Sequence, residues 1–70
     1  MEKFWRQAIG KVCKIVYEEN GRVHVAVCKV LDANDSFICE KDLRTGRLYF
    51  LATNKIIRLS VLPKPENQKG

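Results

Sequence analysis

Gly46-Arg47-Leu48-Tyr49-Phe50-Leu51-Ala52-Thr53-Asn54-Lys55-Ile56-Ile57-Arg58-Leu59-Ser60-Val61-Leu62 is the stretch whose reading decides the fold of this 70-residue chain. Aromatic and β-branched residues crowd it, and such residues pack best on a pleated, half-buried surface, so it reads as two consecutive strands. Thr53-Asn54 separates them, because Asn tolerates a tight bend. The two strands are expected to form the closing edge of a small barrel. They also carry Arg47, Lys55 and Arg58, so one segment offers both apolar surface and positive charge.

Outward from that stretch, Asp42 to Gly46 reads as a basic loop in which Gly46 supplies a positive φ. Ser36 to Lys41 is a third strand, with Phe37 and Cys39 inward and Ile38 and Glu40 opposite. Asp32-Ala33-Asn34-Asp35 is turn chemistry, and with no acidic ligand set after it the solvated turn is preferred to a cation site. Arg22 to Leu31 is a long strand, with Val23, Val25, Val27 and Leu31 on one face and His24, Ala26, Cys28 and Val30 on the other. Apolar residues on both faces suit the bent central strand of a barrel buried on both sides. Asn20-Gly21 is a strong hairpin signal, since a primed turn needs positive φ at both central positions. It joins that strand to Lys11 to Glu18, where Cys13, Ile15 and Tyr17 share a face.

Before Gly10, Phe4 and Ala8 lie four apart, as do Trp5 and Ile9, which predicts a short helix over Met1 to Ile9 ended by the glycine. Its apolar face needs the sheet to pack on, so Trp5 reads as a core plug rather than a base-stacking platform. From Pro63 onward the chain has two prolines and no large apolar residue, and 63–70 is expected to be a disordered tail. The fold class is therefore mainly β: a short N-terminal α-helix and then a five-stranded, strongly bent antiparallel barrel over residues 1–62. An OB-fold is the main structural competitor.

A chain this short buries only about 60% of its unfolded surface, which makes subunit pairing through open strand edges attractive. Its formal charge is +5, and five basic residues against one acid, Asp42, fall between Lys41 and Arg58. Such a balance favours anionic partners at long range. Cys13, Cys28 and Cys39 lack CxxC spacing and sit in apolar runs, so they read as small buried residues in a reducing compartment. With His24 as the only histidine, no metal site is expected. The N-terminus mixes Glu2, Lys3 and Arg6 with its apolar residues, unlike a signal peptide, and no run approaches membrane-spanning length. A cytoplasmic protein with no membrane partner is expected.

Two pieces of the chain resemble the WYL domain. Gln7-Ala8-Ile9, then Lys14-Ile15-Val16-Tyr17 and Gly21, resembles its opening, where an Ala-Ile helix end precedes an I-x-Y strand. Asn54-Lys55-Ile56 followed by Val61-Leu62 resembles its closing D-R-I-x-x-V-x-V-L segment. The Trp-Tyr-Leu tripeptide is absent, Phe37-Ile38-Cys39 standing roughly where it would fall. The chain is also similar to Sm-like proteins generally, with Asp32 and Asn34 in the turn where those proteins carry polar RNA-contacting residues. The resemblance implies an Sm-like barrel in a bacterial or archaeal setting. It further implies a role in sensing or binding nucleotides or single-stranded nucleic acid, usually in transcription control.

Catalysis is the weakest reading, because one His on a valine-rich strand lacks the base and orienting group that a nucleophile needs. No Gly-rich phosphate loop is present, so neither an enzyme nor a cofactor is expected. The expected function is binding of single-stranded RNA or DNA, or of a nucleotide. Lys41, Arg44, Arg47, Lys55 and Arg58 would meet phosphates, and Tyr49 would offer a ring to a base. The alternative is a protein-interaction or homo-oligomerisation module that pairs through strand edges.

Overall fold

The structure, a computed structural model, describes residues 6–63. Five strands form one antiparallel sheet: β1 (Val12–Glu19), β2 (Arg22–Ala33), β3 (Phe37–Asp42), β4 (Leu48–Ala52) and β5 (Ile56–Val61), in the order β4-β3-β2-β1-β5. Asn20 and Gly21 take φ of 55° and 77°, as the primed turn between β1 and β2 requires. Gly46, at φ 78°, ends the loop between β3 and β4 as its sequence predicts.

β2 is the strand shared by two halves. Its residues Arg22 to Lys29 pair with β1, whereas Cys28 to Ala33 pair with β3, so the two neighbours overlap only near the middle. Between Val30 and Asp32 the register with β3 slips, leaving Leu31 as a bulged residue. Such an insertion bends the strand and sharpens its twist. A second slip, between Val16 and Tyr17, bends the β1–β5 ladder.

The link between β4 and β5 forces further curvature. Thr53–Lys55 is a single 3₁₀ turn, so Ala52 and Ile56 are four residues apart. Four residues span at most about 14 Å extended, and less in a 3₁₀ turn. In a flat sheet four strand spacings would separate these edges by about 19 Å. The sheet must curl until its two edges approach at the turn. The Thr53 N–H donates to the Ser36 carbonyl (2.9 Å) and its hydroxyl to the Asp35 carbonyl (2.7 Å), which pins the turn to the β2–β3 connection.

Curling does not complete a barrel. β4 and β5 are the outermost strands and no ladder joins them, which corrects the closed Sm-like barrel expected from sequence. The physical reason is the division of β2: its halves bend away from the Cys28 corner, so the outer strands meet only through the 3₁₀ turn. The predicted N-terminal helix is not seen either. Residues Met1 to Trp5 of that prediction lie outside the described residues, and Gln7 to Gly10 are turn. There the Ile9 N–H donates to Arg6 and the Lys11 N–H to Ala8, while the Gly10 N–H turns away to the Val30 carbonyl (2.7 Å). Pairing with β2 thus captures the amide that a continuing helix would have used. Of the predicted tail, only Pro63 is among the described residues.

The core lies on the concave side, where Cys13, Ile15, Cys28, Val30, Ala33 and Ile38 are buried with Ala8. β3 enters it in the opposite phase to the one expected. Ile38 and Glu40 point inward and Phe37 outward, because Ile38 pairs with Ala33 and Glu40 with Val30, both on the concave side of β2. β2 is also buried on one side only, since Val23, Val25 and Val27 are exposed on the convex face.

These assignments separate two substitutions. Ile38→Ala, at a side chain with no exposed surface, should cost about 2–5 kcal/mol by urea denaturation. Phe37→Ala, at a ring left half exposed, should cost much less. The reverse order would place β3 in the other register phase.

Candidate functional site

The pleat of β3 and β4 divides the predicted site between two faces. Successive side chains on a strand point to opposite sides, so Lys41 and Phe50 lie on the convex face while Glu40 and Tyr49 lie on the concave one. On the convex face Lys41 stands directly opposite Lys29, and Lys29 is diagonal to Lys14. Like charges directly opposite each other on a sheet are destabilising, so this arrangement does not serve the fold. Phe50 is diagonal to Lys41 and 71% exposed. Exposed Val25, Val27 and Leu48 lie on the same face.

The loop at the end of β3 is fixed by Asp42. Its carboxylate accepts the Arg44 N–H at 2.7 Å and the Thr45 N–H at 3.2 Å, and its carbonyl accepts the Gly46 N–H at 2.8 Å. Those backbone donors hold the Asp42 carboxyl below its ordinary value of 3.8. The loop thereby carries Arg44 and Arg47 as exposed side chains near the end of the lysine row.

Where β2 parts from β3 beyond Cys28, an open cavity of about 770 Å³ is left, lined by residues of both faces. Its lining includes Cys28 and Glu40, together with Tyr17 and Tyr49. Glu40 is 7% exposed, and the Cys28 thiol donates to its Oε1 at 2.8 Å. Burial first, and then that hydrogen bond, raise the Cys28 pKa, so Cys28 stays a protonated donor. Tyr17 also titrates above its usual range, chiefly through burial and then through the neighbouring Glu19 and Glu40 carboxylates. The His24 ring stacks on Tyr17 with centroids 5.3 Å apart.

The six residues singled out from sequence are therefore not one site. Lys41 joins the convex row, Arg44 and Arg47 share the adjoining loop, and Arg44 and Tyr49 both line the cavity. Lys55 belongs to the 3₁₀ turn at the other end of β4, and Arg58 stands on β5 opposite Val16, toward the far edge of the sheet. Sequence reading missed Lys14, Lys29 and Phe50 on the convex face. Period-two alternation around Lys41 could have found Phe50 once β3 was phased correctly, but cross-strand placement of Lys29 needs the register. Asp32 and Asn34 are engaged locally. The Asp32 carboxylate accepts the Ala33 N–H, and the Asn34 side-chain oxygen accepts the Ser36 and Phe37 N–H groups. Among the described residues, no helix is long and apolar enough to cross a membrane.

Asp42 gives the loop a pH dependence of known sign. Its folded pKa is lowered, so its contribution is complete above the ordinary value and is lost as pH falls through the folded one. Amide exchange at Arg44 and Thr45 should accelerate in acid below about pH 4, whereas Asp42→Ala should exchange fast already at neutral pH. An unaltered acid response in the variant would refute this account of the loop. No protein-family model, characterised protein or solved structure matches this chain.

Proposed function

We propose that the chain is a small binding module that takes single-stranded nucleic acid across its convex face. The observation that carries this reading is the directly opposed Lys29–Lys41 pair beside the exposed Phe50 ring. A phosphate backbone would neutralise the paired ammonium groups, and an unstacked base could lie on the ring. Lys14 extends the row on one side, and the loop bearing Arg44 and Arg47 extends it on the other. The net charge of +5 adds long-range attraction for a polyanion. The kinship with WYL domains is part of the same proposal and rests on the sequence resemblance of residues 7–21 and 54–62.

A second reading rests on the outer strands. β4 and β5 each pair on one side only among the described residues, and open edges of this kind are routes to subunit pairing. The two readings are compatible, since edge pairing would leave the convex face free.

Fluorescence anisotropy with short labelled RNA and DNA single strands tests the main reading. Saturable binding that persists at near-physiological salt is expected. Lys29→Ala combined with Lys41→Ala should weaken it and reduce the slope of log K against log salt by about 1.4, at roughly 0.7 per lost phosphate contact. That double variant should fold at least as stably as the parent, because it removes a repulsive pair. Phe50→Ala should weaken binding by about 1–3 kcal/mol. Parent-like affinity in both variants would overturn the assignment. Light scattering over a concentration series reads the second proposal, and a concentration-independent monomer would dismiss it.

A further inference from the structure

The cavity has the opposite electrical character to the rest of the chain. Three of its lining residues are acidic, Glu19, Glu40 and Asp42, against one base, Arg44, in a protein whose net charge is +5. Acidic lining alone would mean little, since exposed carboxylates are solvated. Glu40 is different: it is more than nine-tenths buried and lines the open space. Among the described residues the Cys28 thiol is the only donor to its carboxylate, and no Lys or Arg pairs with it. A thiol is a weak donor, whereas a carboxylate presents about four acceptor positions. A buried carboxylate left so incompletely satisfied is costly, and a cation is the partner that removes the cost.

The surrounding groups narrow the kind of cation. Tyr17 and Tyr49 bring two aromatic side chains to the cavity, and ring faces attract ammonium and guanidinium groups. Among the described residues no three His, Cys, Asp or Glu side chains converge closely enough to hold a metal ion. The volume, about 770 Å³, exceeds the needs of a single ion and lies within the range of organic ligand sites.

We propose that this cavity binds an organic cation, an alkylammonium or guanidinium group, with Glu40 as its counter-ion and Tyr17 and Tyr49 as its aromatic walls. Such a group is carried either by a small free amine or guanidine or by a Lys or Arg side chain of a partner protein. Glu40 and Tyr49 alternate with Lys41 and Phe50 along the same two strands, so the carboxylate and the lysine pair face opposite sides. Lys29 and Lys41 do not line the cavity, whereas Phe50, Val25 and Val27 reach its edge. Arg44 sets its affinity from the rim: it is the one positive charge in the lining, and it opposes the ligand.

Titration of the isotopically labelled chain, followed by backbone amide NMR shifts, tests the proposal. The free-cation probes are n-butylguanidinium and n-butylammonium, the protein-side-chain probe is a capped Gly-Arg-Gly peptide, and n-butyrate is the control. Saturable shifts centred on Cys28, Glu40 and Tyr49 are expected with the cations and not with butyrate. Glu40→Gln keeps the side-chain shape and should weaken binding about tenfold or more, whereas Arg44→Ser should strengthen it. The Lys29→Ala and Lys41→Ala double variant, which tests the nucleic-acid reading, should bind the cations as the parent does. Tighter binding of the peptide than of butylguanidinium would assign the cation to a protein side chain, and equal or weaker binding would assign it to a small free cation. Absence of saturable shifts, an equal response to butyrate, or parent-like affinity in both Glu40→Gln and Arg44→Ser would overturn the proposal.

Discussion

The link between β4 and β5 cannot cross a flat sheet, and the rest of the molecule conforms to that limit. With Ala52 and Ile56 four residues apart and their strands at opposite edges, the sheet has to curl. β2 makes the curl possible: it is twelve residues long, serves β1 with one half and β3 with the other, and is bulged at Leu31. The core is small as a result. Ile15, Val30, Ile38 and Cys13 are its fully buried members, and partly buried Leu51, Ile56 and Leu59 cover them from the outer strands.

The same division of β2 leaves the sheet open. Where the halves separate, β2 beyond Cys28 is no longer paired with β3, and the cavity occupies the gap between them. A closed barrel would have filled the interior with side chains. Here Glu40 stands where an apolar residue would normally complete such a core, its charge met by a single thiol. The departure from regular packing and the unusual buried polar group therefore coincide.

Strand pleating then gives two neighbouring regions opposite chemistry. Glu40 and Tyr49 face inward while Lys41 and Phe50, the next residues along each strand, face outward. The opposed lysines collect on the convex side, while Glu40 and the tyrosines line the cavity, whose edge Phe50 also reaches. A one-residue slip in β3 would exchange them, so register controls both candidate sites at once.

Local chemistry was readable from the residues alone. Asn20-Gly21 demanded a primed turn, Gly46 a positive φ, and the runs of Val, Ile, Tyr and Phe demanded strands, because each depends on the conformational preferences of a few adjacent residues. The phase of β3 was not readable. Phe37, Ile38 and Cys39 are consecutive apolar residues, so either alternation places hydrophobic groups inside, and only pairing with Ala33 and Val30 chose Ile38 and Glu40. The short helix expected before Gly10 depended on intrinsic periodicity, which the backbone pairing of Gly10 with Val30 overrode in its described part. By itself the sequence determined a basic, mainly β chain with five strands and the positions of its tight turns. Tertiary structure alone decided that the sheet stays open, that Lys29 meets Lys41, and that Glu40 faces the cavity, because those outcomes depend on register and curvature between segments distant along the chain.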